Sequence, residues 1–145
     1  MDKIKVKIKK LDENAVVPKY AKLGDAAMDL VAVSIQSING GKQFRYGTGL
    51  AFEIPDGYVG LIYPRSSVVK TNLRLGNHVG VIDSKYRGEV SFIFDNIGYT
   101  TEKIYSVGDR IGQIMIVPYP EVEFEEVQEL TETDRSTGGW GSTGN

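Results

Sequence analysis

The chain has 145 residues, with 17 lysines and arginines against 19 aspartates and glutamates, a single histidine, no cysteine and a net charge of −2. One domain of that length buries a core without staples, the missing cysteines exclude disulfides, thiolate zinc sites and a cysteine nucleophile, and His78 alone cannot build a histidine metal cluster. The balanced charge excludes a general attraction to nucleic-acid polymers, and neither a membrane-length apolar run nor a signal-peptide core is present, so a cytoplasmic protein with no nucleic-acid polymer or membrane as partner is expected.

At the start of the chain Ile4, Val6 and Ile8 alternate with Lys3, Lys5, Lys7 and Lys9. That period of two predicts a strand with one solvated face, near an edge that the lysines guard against stray pairing. Further strands are predicted in "MDLVAV" (28–33), "GTGLAFEI" (47–54), "YVGLIYP" (58–64), "GEVSFIFDN" (88–96), "RIGQIMIVPY" (110–119) and "EVEFEEVQE" (121–129), all rich in Val, Ile, Phe or Tyr. Pro55 to Gly57 reads as a turn between two of them. The only helix predicted is a short one in "RSSVVKTN", with Ser66 capping its first turn. Short strands, frequent turn signals and 17 glycines argue for an all-β sandwich or barrel of the jelly-roll kind. Only the last stretch departs in composition, which divides the chain into a β domain (1–130) and a terminal arm (131–145).

Four stretches of the body carry candidate chemistry. In "YPRSSVV" (63–69) Arg65 is a fixed cation, and the N–H groups after Ser66 and Ser67 offer an anion site, if the segment is more than an ordinary capped helix. "GNHVGVIDSKYRGEV" (76–90) reads as a hairpin bearing Asp83 and Tyr86, whose strand edge could pair with a pyrimidine or whose polar residues could simply serve the turn. His78, flanked by "GN" and "VG", shows no triad pattern and reads as structural. In "VGDRIGQIMIV" (107–117) period two puts Gln113 on the face of Ile111, either where the core opens into a site or at a solvated edge. Asp29 in "GDAAMDLVAV" (24–33) is either solvated or able to hold a hydrated cation such as Mg²⁺.

The terminal "DRSTGGWGSTGN" (134–145) holds the only tryptophan. It reads either as a frayed tail or as a nucleotide lid, in which glycines turn amides toward an anion, Arg135, Ser142 and Thr143 add donors, and Trp140 stacks on a base.

Taken in order, "AAMDL", "PRSS", "GVIDSKYRGEV", "GDRIGQ" and "RSTGGWGSTG" resemble the five motifs of the homotrimeric dUTPase family across nearly the whole chain. The resemblance implies hydrolysis of dUTP to dUMP and pyrophosphate with Mg²⁺, which keeps uracil out of DNA and supplies dUMP. It also implies a jelly-roll-like distorted barrel of the β-clip type, assembled as a homotrimer whose arms close over the active sites of neighbouring subunits. By position, Asp83 would orient the attacking water, and Arg65, Gln113 and Arg135 would stabilise the reacting phosphates. Ser66, Ser67, Ser142 and Thr143 would add phosphate contacts, and Asp29 would reach the metal through water. Asn77 and the main chain of Gly80, Val81, Ile82 and Asp83 would read uracil, Tyr86 would exclude a 2′-hydroxyl, Ser91 would touch the nucleotide, and Gly139, Trp140 and Gly141 would form the lid.

The sequence departs from the family pattern in five places. Trp140 stands where phenylalanine is usual, Ala27, Ser67 and Ser136 replace common glycines, and Lys85 occupies an often acidic position. Two other readings belong to different activities: a deoxycytidine triphosphate deaminase on the same general fold, and a dUTP-gated trimer that engages a regulatory protein partner.

Overall fold

The computed structural model describes residues 2–144. Ten strands run in chain order: β1 (Lys7–Lys10), β2 (Met28–Val31), β3 (Ser34–Ile38), β4 (Gln43–Gly47), β5 (Leu50–Glu53), β6 (Tyr58–Tyr63), β7 (Leu73–Leu75), β8 (Gly80–Ile82), β9 (Ser91–Asn96) and β10 (Arg110–Pro118). They form two four-stranded antiparallel sheets, β2-β10-β6-β8 and β3-β4-β9-β7, with β1 and β5 as a separate pair. This is the expected all-β, jelly-roll-type architecture.

One core serves both sheets. Leu30, Ile62, Ile111 and Ile114 come from the first sheet, and Phe44, Tyr46, Phe92 and Phe94 from the second. Large apolar side chains alternate inward because successive residues of a strand face opposite sides. Tyr46 is wholly buried and packs edge-on to Phe94 and Tyr105, while its hydroxyl donates to the Tyr105 carbonyl at 2.8 Å. Burial pushes its pKa up to about 12.

Several expectations fail here, each for a local reason. The segment after Arg65 is a five-residue 3₁₀ turn (Ser66–Lys70), with Arg65 at the cap position and no side-chain cap bond. A second 3₁₀ turn (Asn39–Gly41) links β3 to β4, a hairpin that the polar stretch "SIQSINGGKQF" conceals. β8 and β9 do not form a hairpin with each other, because β8 pairs with β6 and β9 lies between β4 and β7. "EVEFEEVQE" pairs with no strand and is exposed throughout. Val122, Phe124 and Leu130 therefore project into solvent.

The most consequential departure lies in β10. Its register against β2 shifts between Arg110 and Gly112, so Ile111 is an extra residue in a β-bulge. The bulge breaks the period of two: Ile111 and Ile114 are both wholly buried, and Gln113 lies on the opposite, accessible face rather than beside Ile111. Gly112 is required at this point, since a Cβ would come within 2.3 Å of the Phe92 ring and 2.9 Å of the Tyr63 carbonyl oxygen.

Candidate active site

β10 lies between β2 and β6, and the register aligns Asp29 with Gln113 and Gln113 with Tyr63. Three motifs far apart in sequence thus meet in one row across a sheet. Pro64 ends β6 and sends Arg65 back toward the row, where its Nε donates to Asp29 Oδ1 at 3.0 Å. Arg110 approaches Asp29 Oδ2 at 4.0 Å, so the carboxylate sits between two guanidiniums and the group carries an excess positive charge. Gln113 Nε2 donates to the Pro64 carbonyl oxygen at 2.9 Å, which satisfies its amide and fixes the end of β6. Arg65 also donates through Nη1 to Ser67 Oγ at 3.3 Å, while Ser66 is exposed.

A cleft of about 760 Å³ opens over this row, lined by Asp25, Ala27, Asp29, Tyr63, Pro64 and Gln113 together with His78. His78 is exposed in the loop between β7 and β8, borders the cleft, and adopts a left-handed backbone with φ 64°. Only its lack of a triad pattern was visible in the sequence, and that pattern says nothing of a cleft.

The helix expected after Arg65 is instead a single short turn, in which the Val68 amide donates to the Arg65 carbonyl. No backbone strain arises at Ala27 or Ser67, neither of which has a positive φ. Ser136 does adopt one, at 41°, as does Trp140, at 49°.

β8 forms the free edge of its sheet. Gly80, Val81 and Ile82 therefore present backbone groups outward, with exposed Asn77 in the preceding loop. The following turn carries Asp83 and Tyr86, both exposed, and is held at several points. The Tyr86 hydroxyl donates to the Glu89 carbonyl at 3.0 Å, and the ring lies over Gly88, where a Cβ would meet the hydroxyl oxygen at 2.4 Å. Glu89 Oε2 accepts from the Gly49 amide at 2.8 Å. Arg87 Nη1 donates to the Ser84 carbonyl at 2.6 Å and the Tyr86 carbonyl at 3.2 Å, and its Nη2 lies 3.6 Å from Glu53 Oε1. Lys7 bonds the other Glu53 oxygen at 2.8 Å; this bond first, and the Arg87 charge after it, hold the Glu53 carboxyl below the usual range. Lys85 pairs with Asp56 of the β5–β6 turn at 3.3 Å. Sequence reasoning missed Arg87 and Glu53 because they are 34 positions apart and nothing local links them.

Other assigned residues stand apart. Ser91 opens β9 in the second sheet and accepts from Arg45 Nε at 3.2 Å. In the arm, Arg135 Nε donates to the Gly138 carbonyl at 2.8 Å, and the Ser142 amide to the Gly139 carbonyl at 3.1 Å, so the arm bonds to itself. Trp140 is fully exposed, with a relative accessibility of 109%, and Arg135, Gly141, Ser142 and Thr143 are exposed with it. Neither the arm, nor Asp83, nor Tyr86 lines the cleft over Asp29.

A sequence model of dUTPases matches residues 13–144. The chain belongs to the dUTPase family. The deoxyuridine 5′-triphosphate nucleotidohydrolase of Rhodococcus erythropolis is 40% identical over 99% of this chain and 88% of its own length. That of Clostridium acetobutylicum is 40% identical over 97% of both chains. The dUTPase of Staphylococcus bacteriophage 80alpha, solved with dUPNHPP, superposes with a TM-score of 0.84 at 28% identity, covering 97% of this chain and 99% of that one. These likenesses favour the dUTPase assignment over the deaminase and binding-protein readings.

No helix among the described residues is long and apolar enough to cross a membrane. Nor do three His, Asp or Glu side chains among them cluster as a metal cage. The one carboxylate in the row, Asp29, has Arg65 at 3.0 Å and Arg110 at 4.0 Å, so it fits a hard cation only through intervening water, with phosphate oxygens as the cation's direct ligands.

Proposed function

We propose that this chain hydrolyses dUTP to dUMP and pyrophosphate through attack of water at the α-phosphate, and that each site of a homotrimer is completed by parts of neighbouring copies. The single observation that carries this reading is the row of Asp29, Gln113 and Tyr63 with Arg65 bonded beside it. It supplies a preorganised floor in which Arg65, with Arg110 nearby, is held at the edge for a triphosphate, while the turn bearing Asp83 and the arm of the same chain lie outside the cleft.

Arg65 and Arg110 supply positive charge where the leaving pyrophosphate gathers negative charge, and fixed cations of this kind lower the barrier without reorganising during reaction. Gln113, anchored on Pro64, and Ser67, bonded to Arg65, orient the phosphates. Mg²⁺, held through Asp29 and water, would supply further charge neutralisation on the triphosphate. Asp83 aligns and polarises the attacking water; a carboxylate is a weak base at neutral pH, so most of the rate comes from the charge around the phosphates.

The free edge of β8 supports a reading in which uracil is recognised by backbone groups, as an added strand would be. Cytosine presents a donor where uracil presents an acceptor, which leaves buried groups unpaired and disfavours dCTP. The Tyr86 ring, set over Gly88, supports a reading in which it would exclude a ribose 2′-hydroxyl. Arg135, Ser142, Thr143 and the Trp140 indole then cover the bound nucleotide from another copy.

Exchange of segments between copies has support outside the arm itself. An apolar groove of about 690 Å³ runs along β1, lined by Ile4, Val6, Ile8, Tyr58, Ile116 and Pro118. The lysines of β1 complement Glu121, Glu123, Glu125 and Glu126 of the unpaired "EVEFEEVQE" segment, which suits strand addition from a second copy.

The test is pyrophosphate release from dUTP, UTP, dCTP and dTTP with and without Mg²⁺, with dUTP expected to be far the best substrate. Co-expressing Asp83→Asn with a chain lacking residues 134–145 distinguishes the assembly. If sites form between copies, mixed trimers regain activity that neither variant has alone. No recovery would confine the site to one chain.

A further inference from the structure

We infer that Arg87 is a positioning residue: it sets the turn that carries Asp83 and Tyr86 by bonding two of that turn's own carbonyls while Glu53 of β5 holds it from behind. The inference rests on the reading of Asp83 and Tyr86 given above.

Residues 83–87 connect the edge strand β8 to a segment bound for the other sheet, so no ladder organises them. Within the turn the Tyr86 amide donates to the Asp83 carbonyl at 3.1 Å, which leaves the Ser84 and Tyr86 carbonyls to find other donors. The Arg87 guanidinium reaches both from a single nitrogen, at 2.6 Å and 3.2 Å. Bonds from a charged donor are about twice as strong as neutral ones. The second terminal nitrogen points to Glu53, itself fixed by Lys7 of β1. Arg87 and Glu53 are both about half-exposed, so this pair guides the guanidinium, and the two carbonyl bonds set the turn.

The neighbouring contacts on Asp56 are weaker determinants. Lys85 and Asp56 are both about four-fifths exposed, and Ser84 Oγ lies 3.4 Å from Asp56 Oδ1. Exposed pairs of this kind contribute little. A lysine at position 87 would bring a point charge instead of a planar fork and could not serve both carbonyls and the carboxylate together.

Arg87 touches neither the water nor the phosphates, so its loss should appear as misplacement. Arg87→Ala is expected to lower kcat for dUTP about 10- to 100-fold, the range for a displacement of roughly 1 Å. It should also raise the UTP-to-dUTP ratio of kcat/KM, because Tyr86 loses its carbonyl anchor. Arg87→Lys should rescue only part of the loss, and Glu53→Gln, which keeps shape and removes the charge, should move both readings the same way by less. An Arg87→Ala enzyme with the kcat and UTP discrimination of the parent overturns the inference. So does a lower kcat with unchanged discrimination, which would mark a general loss of fold. If Arg87→Ala does not fold, Glu53→Gln decides by the same two readings. Asp83→Asn run alongside separates the premises: normal turnover there sinks the assignment of the turn itself, whereas a dead Asp83→Asn beside a normal Arg87→Ala sinks only this inference.

Discussion

Residues 83–90 and residues 131–144 are assigned to the same reaction, and the chain treats them in opposite ways. The turn is bonded to β5 through Glu53 and to the β4–β5 turn through Glu89. The arm forms hydrogen bonds only within itself, with Arg135 and Thr133 closing local turns. Ordering a residue costs about 1–2 kcal/mol of backbone entropy. For the turn that cost is met at folding, so the Asp83 carboxylate proposed to align water is held before substrate arrives. For the arm, on the proposed reading, it is deferred to binding, which would leave the entrance open and tie closure to the presence of ligand.

The largest effect should come from the ordered side of this comparison. Asp83→Asn is expected to reduce turnover by about 10²- to 10⁴-fold while dUTP still binds, measured by pyrophosphate release and by equilibrium titration. On the other side, removal of residues 134–145 should abolish most activity yet leave the melting temperature within about 2 °C of the parent. The arm buries nothing against its own β domain, so little stability is lost with it. A large fall in melting temperature would show the arm to be structural.

Gly88→Ala asks how tightly the turn is set. The new methyl would collide with the Tyr86 hydroxyl and with ring carbons at 2.6 to 2.9 Å, so the ring must move and discrimination against UTP should weaken several-fold, with a smaller change in kcat. Tyr46→Phe, in the core, is the control that moves stability without moving the site. Loss of its bond to the Tyr105 carbonyl should cost about 1 kcal/mol. The raised pKa of Tyr46 means that its contribution is complete below pH 10 and is lost as pH rises toward 12. The phenylalanine variant should therefore show a shallower alkaline fall in melting temperature.

Where residues were patterned by burial, the sequence was readable. β6, β9 and β10 lie within the segments that their aliphatic content and turn residues delimit. The β3–β4 hairpin was not, because Ser34 to Ser37 of β3 face solvent and carry no alternation, although Phe44 and Tyr46 on either side of Arg45 in β4 are buried. Gln113 stood out in the sequence as the one polar residue in an aliphatic strand, but its face was misread, since one residue inserted against β2 reverses the alternation and only the partner strand reveals it. Motif order located Asp29 and Arg65, yet their ion pair depends on β2 and the end of β6 flanking β10. The reach of Arg87 to Glu53 is equally non-local. "EVEFEEVQE" has the pattern of a strand but no partner in its own chain, and pattern alone cannot supply one.

The extra residue at Ile111 makes β10 sensitive to count as well as to composition. Trimming one position between Asp109 and Gln113 would take out the bulge, so the amide could stay opposite Asp29 only if the buried Ile111 side chain or the opening that Gly112 leaves for Phe92 were given up. Over evolutionary drift, insertions and deletions in this stretch should be purged along with any side chain at position 112.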